Sequence, residues 1–143
     1  MTGPRRAARR KVRPGSARTF WEKASRFRHA ADAQFETGLW DPAVSNAVTA
    51  CINLSDAITT HFRGEHSRSG DHTDALDNLS DAAPAAGDWV LDVAGHLGSL
   101  LQMKGAAQYE AVLLTKAEAE RAVLHMDRAF GHAERQLRTI LGV

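Results

Sequence analysis

Eleven residues near the middle of the chain, Phe62-Arg63-Gly64-Glu65-His66-Ser67-Arg68-Ser69-Gly70-Asp71-His72, hold two arginines, two histidines and two carboxylates. A guanidinium matches a phosphate with two parallel hydrogen bonds. Histidine is the side chain most easily poised for proton transfer near neutral pH. Cleaving RNA without a metal needs both: a base for the 2′-hydroxyl proton, and a cation facing the phosphoryl oxygens on which charge builds. In this bridge His72 suits the acid/base role, and Arg63 and Arg68 suit the phosphate. His66 and Asp71 stand beside them as binding residues, and the helix start that follows favours an anion. The same residues also admit a structural use. Asp71 then caps the helix, His72 bonds its own turn, and the arginines pair with Glu65 and Asp71. No metal site and no cofactor is expected, because His61, His66 and His72 lack a tight ligand spacing with Glu65 and Asp71. The chain also has no CxxC pair, no HExxH and no glycine-rich phosphate loop.

A second group lies near the C-terminus. Arg121, His125, Arg128, His132 and Arg135 follow at steps of four, three, four and three. At helical pitch they fall opposite the Val123/Met126/Phe130 stripe and form one basic ribbon on the outer face. Such a ribbon serves as a solvated face, or as a contact surface for a second subunit or for phosphate. His29 and His96 stand alone near apolar faces and read as structural, and Tyr109 reads as a buried ring with a bonded hydroxyl.

The elements that must position these groups are helical. Phe20, Ala24, Phe27, Ala31 and Phe35 make one apolar face of a helix from about Ala17 to Thr37, ended by Gly38. Asp41 and Pro42 mark a second start, as cap and first helical residue, and Val44, Val48, Cys51, Ser55, Ile58 and Phe62 continue its stripe to Gly64. Beyond the bridge a third helix opens with Asp74 in its first turn and closes at Pro84, and a fourth spans about Asp88 to Lys104. Gly95, Gly98 and Gly105 weaken that fourth helix. Thr115 and Glu118 form a capping-box pattern ahead of a heptad-like stripe, Ala119, Val123, Met126, Phe130, Ala133, Leu137 and Ile140. No segment shows strand alternation, so the fold class is all-α: an up-and-down bundle of about five helices.

The 143 residues suit one domain with a real core. Residues 1–18 differ from the rest. They carry seven basic residues and no acid, with two prolines and two glycines, and read as a disordered basic arm ahead of a bundle over 19–143. The remaining eleven Lys/Arg face seventeen Asp/Glu, so the arm is basic on an acidic body. A lone cysteine, Cys51, on an apolar stripe reads as a small buried hydrophobe and fits a reducing compartment. The basic start is not followed by an apolar core, and no apolar run approaches a membrane span, so a cytoplasmic location with no membrane contact is expected.

The chain resembles a HEPN domain, the nucleotide-binding helical domain of higher eukaryotes and prokaryotes, of a small actinobacterial type. The likeness runs from Asn46-Ala47 through Ser55-Asp56-Ala57-Ile58, across the bridge Arg63 to His72, to Ala75-Leu76. It continues in Leu101-Gln102-Met103-Lys104 with Tyr109, and ends in the Thr115/Glu118-Ala119-Glu120 opening of the last helix, covering about residues 20–141. The resemblance implies a bundle that commonly dimerises, RNA as the usual target, and a toxin-antitoxin or defence setting. Active members place Arg, four to six residues, then His at a dimer cleft. Here Arg63 to His66 leaves two residues, Arg68 to His72 three, Arg63 to His72 eight, and Arg121 to His125 and Arg128 to His132 three each. The expectation is therefore binding of RNA, or of a cognate partner protein or second copy, without a clear catalytic motif. The alternatives are a metal-independent endoribonuclease using His72 with Arg63 and Arg68, and a purely structural dimerisation module.

Overall fold

A computed structural model describes residues 9–11, 15–67 and 73–143. In chain order they form β1 (Arg9–Lys11), α1 (Ser16–Glu36), α2 (Trp40–Arg63), β2 (Glu65–Ser67), α3 (Thr73–Ala86), α4 (Trp89–Gln108) and α5 (Lys116–Leu141). The five helices make the all-α up-and-down bundle expected from the apolar stripes. α2 lies at its centre and packs against α1, α3, α4 and α5. Its apolar stripe is accordingly wide: Val44, Ala47, Val48, Cys51, Leu54, Ala57 and Ile58 are all fully buried. α5 faces it with Met126, Phe130 and Leu137, and α4 with Val90, Val93, Leu97 and Leu100. No helix among the described residues is long and apolar enough to cross a membrane.

Three local details depart from expectation. Asp41 does not cap α2, whose N-cap is Leu39; it sits in the first turn. Its Oδ1 instead accepts the backbone N–H of Leu114 at 3.1 Å, tying the start of α2 to the segment before α5. Pro84 does not close α3, which continues to Ala86. A proline near a helix end breaks only one backbone bond, and the Gly87 N–H still reaches the Ala83 carbonyl at 2.8 Å. α4 likewise outlasts its predicted end by one turn, running through Gly105 to Gln108, whose side chain donates to Ser45 Oγ of α2 at 2.8 Å.

The fourth difference concerns the arm. Residues 9–11 pair antiparallel with 65–67, matching Arg9 with Ser67, Arg10 with His66 and Lys11 with Glu65. A ladder of three residues has no periodic signature to read, and its two strands are far apart in the chain. The rest of the expectation for the arm before α1 falls on residues 1–8 and 12–14, outside the described residues.

The predicted helix α5 forms as its sequence requires. Thr115 Oγ1 accepts the Glu118 N–H at 3.2 Å while the Glu118 carboxylate accepts the Thr115 N–H at 3.3 Å, closing the capping box. Phe130, 1% exposed, anchors the helix on α1, its ring 5.9 Å from that of Trp21 and 4.6 Å beneath the Arg28 guanidinium. Replacing Phe130 by Ala leaves a cavity where both neighbours lose contact. Urea denaturation should show a loss of about 3–5 kcal/mol for Phe130→Ala. Thr115→Ala should cost about 1 kcal/mol, as loss of an exposed cap does. Equal effects would contradict this ranking of the two contacts.

Candidate functional site

The bridge begins where α2 must stop. Gly64 adopts φ +67, a left-handed conformation that glycine takes without cost, and its N–H returns to the Thr60 carbonyl at 2.9 Å. The turn leaves Arg63 exposed in the last turn of α2 and sends Glu65 and His66 into β2, both half-buried. The His66 ring packs on Phe20 of α1, centroids 5.0 Å apart, so this histidine is held against the bundle. The ladder brings the basic arm residues 9–11 alongside. Arg68, Asp71 and His72 lie outside the described residues, and with them the proposed meeting of His72 with the two arginines and the proposed Asp71 cap.

The helices that flank the bridge are unusually polar inside. Ser55, Asp56, Thr59 and Thr60 in the last turns of α2, and Asp74 and Asn78 in the first turns of α3, are buried. Asp56 and Asp74 are each engaged in an interaction. The hydroxyls of Ser55, Thr59 and Thr60 and both polar atoms of the Asn78 amide have no hydrogen-bond partner among the described residues. Each such group costs about 1–3 kcal/mol relative to a satisfied one. Sequence reading placed Ser55 on the apolar stripe and missed the others, because buried threonine and asparagine leave no periodic mark.

The predicted basic ribbon of α5 divides. Arg121, Arg128 and Arg135 are exposed, while His125 is half-buried and His132 leans toward α4. Helical pitch explains this. Relative to Arg121, His125 and His132 are rotated by roughly 40° and 20° toward the edge that carries Ala122 and Ala129, while Arg128 and Arg135 rotate the other way. Both alanines are buried, and α4 packs on α5. There His96, which read as isolated, meets both: its Nδ1 lies 3.0 Å from Nδ1 of His125, and its ring stacks on His132 at 5.6 Å. His132 Nδ1 in turn stands 3.8 Å from Asp92 of α4. The result is a file, His125–His96–His132–Asp92, along one seam. Burial holds the His96 pKa below its ordinary value, and His125, His132 and Arg128 add to the effect against the pull of Asp92. Among the described residues no group of three or more His, Cys, Asp or Glu is arranged to hold a metal ion.

Other candidates resolve differently. His29 is exposed at an open polar cleft of about 240 Å³ between α1 and α5. Arg28 spans that cleft, 3.2 Å from Asp127 and 3.8 Å from Glu134. Asp32 in its wall has a raised pKa, from burial first and then from the Asp127 charge. Tyr109 is not buried but 75% exposed, its ring 5.4 Å from Lys104 Nζ, because α4 ends beside it and the chain turns outward. Cys51 is fully buried, as its stripe predicts.

No family model and no curated protein matches this chain.

Burial pushes the Cys51 thiol well above the ordinary cysteine range, with smaller opposing influences of Arg28 and Asp127. The thiolate is the reactive form, so Cys51 should be inert in the native protein. A chromogenic disulfide reagent at pH 8 should label it only in denaturant. Stoichiometric labelling of the folded chain within minutes would contradict its place in the core.

Proposed function

We propose that this protein is a HEPN-like helical domain that binds the phosphate backbone of RNA at the bridge, in a toxin-antitoxin or defence setting, without cleaving it. The observation that carries this reading is the ladder between β1 and β2. It sets Arg9, Arg10 and Lys11, from the most basic segment of the sequence, beside Glu65–Ser67, directly after the exposed Arg63. Two basic segments far apart in sequence then act on one ligand, on a body that is otherwise acidic. Arginines at such a surface neutralise phosphates and release counterions, which gives affinity without reading sequence. The buried hydroxyls of Ser55, Thr59 and Thr60, without a hydrogen-bond partner among the described residues, fit the same reading, since natural proteins hold costly polar groups where function needs them. Binding ranks above cleavage because the arginine-to-histidine spacings are too short or too long for the family's motif.

Anisotropy with a labelled single-stranded RNA tests this. Affinity should fall steeply with salt, with a log–log slope of about 0.7 per phosphate neutralised. Deleting residues 1–13 should weaken binding and flatten the slope. Arg63→Glu should weaken it by roughly tenfold, and the two changes together should cost less than their sum, because they act at one surface. A salt slope untouched by the deletion would defeat the proposal. The RNA should stay intact in EDTA. Cutting that disappears in His72→Ala would instead establish the endoribonuclease reading.

A further inference from the structure

We propose that the file His125–His96–His132 is a proton-sensitive latch that holds α4 against α5 near neutral pH and releases it in acid. The contact at its centre is the 3.0 Å approach of the two Nδ1 atoms of His96 and His125. One of the two must donate and the other accept, whichever ring carries the proton. A first added proton leaves that bond in place, because an imidazolium still donates to a neutral ring. A second proton sets two N–H groups head to head at the same distance, and the bond is lost.

The charges around the pair decide where protons enter. Among the described residues, the groups that act on His96 are His125, His132 and Arg128 from α5 and Asp92 from its own helix. Asp92 lies 3.8 Å from His132 on the same seam. At His96 the pull of Asp92 is outweighed by burial and by His125, His132 and Arg128. His132 is stacked on His96 with the rings only 19° from parallel, and Arg128 adds a fixed positive charge. Burial and these charges together depress the His96 pKa, and the sign follows. A histidine that titrates lower in the folded protein than in the unfolded chain must gain charge on unfolding. The stabilisation is fully present above the unfolded value of about 6.5 and is lost as pH falls from there through the folded value.

α4 is the element that yields. Its span includes Gly95, Gly98 and Gly105, and glycine in a helix interior costs about 1 kcal/mol relative to alanine. Gly95 and Gly105 have open space where a Cβ would stand, so packing does not require either. α5 has a closed capping box, and its helix continues to a left-handed Gly142. Acid therefore acts on a seam between a weak helix and a strong one, and local opening follows the weaker partner.

Hydrogen exchange of the full chain, followed by mass spectrometry at pH 7.5 and 5.0 with times scaled for intrinsic exchange, tests the latch. Peptides covering Trp89–Gln108 should lose protection by roughly tenfold at pH 5.0 relative to those covering Ser16–Glu36 and Trp40–Arg63. In His96→Gln or His125→Gln that loss should vanish. The second variant reports on the same contact if the first does not fold. The His96 ring should titrate below the ordinary histidine midpoint by NMR. Unchanged α4 protection, a uniform loss across all helices, a loss retained in the variants, or an ordinary His96 midpoint would each overturn the proposal.

Discussion

The structure depends on the burial of α2. A helix touched by four others can expose almost no polar face, and the stripe from Val44 to Ile58 meets that demand with small and branched apolar residues. Alanines at 43, 47, 50 and 57 let neighbouring backbones come close, as a central helix requires. α1 and α5, by contrast, each bury one apolar stripe and keep charged outer faces. Contacts at the rim, such as Asn46 to Gln34 at 2.6 Å and Gln108 to Ser45, then fix how α1 and α4 sit on that centre.

The same constraint sets the character of the end of α2 next to the bridge. Toward its C-terminus α2 stays buried but changes composition, from aliphatic residues to Ser55, Asp56, Thr59 and Thr60. These buried polar residues make the packing there less apolar than at the middle of the helix. The opposite end of the bundle is built differently. There Asp41 closes on Leu114, and Leu39, Val112 and Leu113 stand exposed.

Helix positions were legible because apolar steps of three and four are repeated over several turns, most plainly in α5, whose cap also carries its own pattern. What was not legible depends on partners distant in the chain. Trp21 follows Phe20 directly and so falls off the stripe the phenylalanines define, yet it is buried against Phe130. The rings that His96 meets belong to α5, His125 being 29 residues further on, and only the pairing of α4 with α5 joins them. Tyr109 misled because an aromatic residue between two helices is as compatible with an outward turn as with a core. The bridge was located correctly as the polar link between α2 and α3. The contact of His66 with Phe20 and the pairing with residues 9–11 needed the three-dimensional fold.

The ladder between arm and bridge also orders the events of folding. Its strands are separated by about fifty residues, so closing that loop early would cost entropy with only three residue pairs in return. The loop includes α1 and α2, whose mutual packing brings its ends together. The two strands can therefore pair only after that hairpin of helices exists, as a late and readily reversed step of assembly. Whether residues 9–11 are paired with 65–67 thus reports whether α1 and α2 have already packed together.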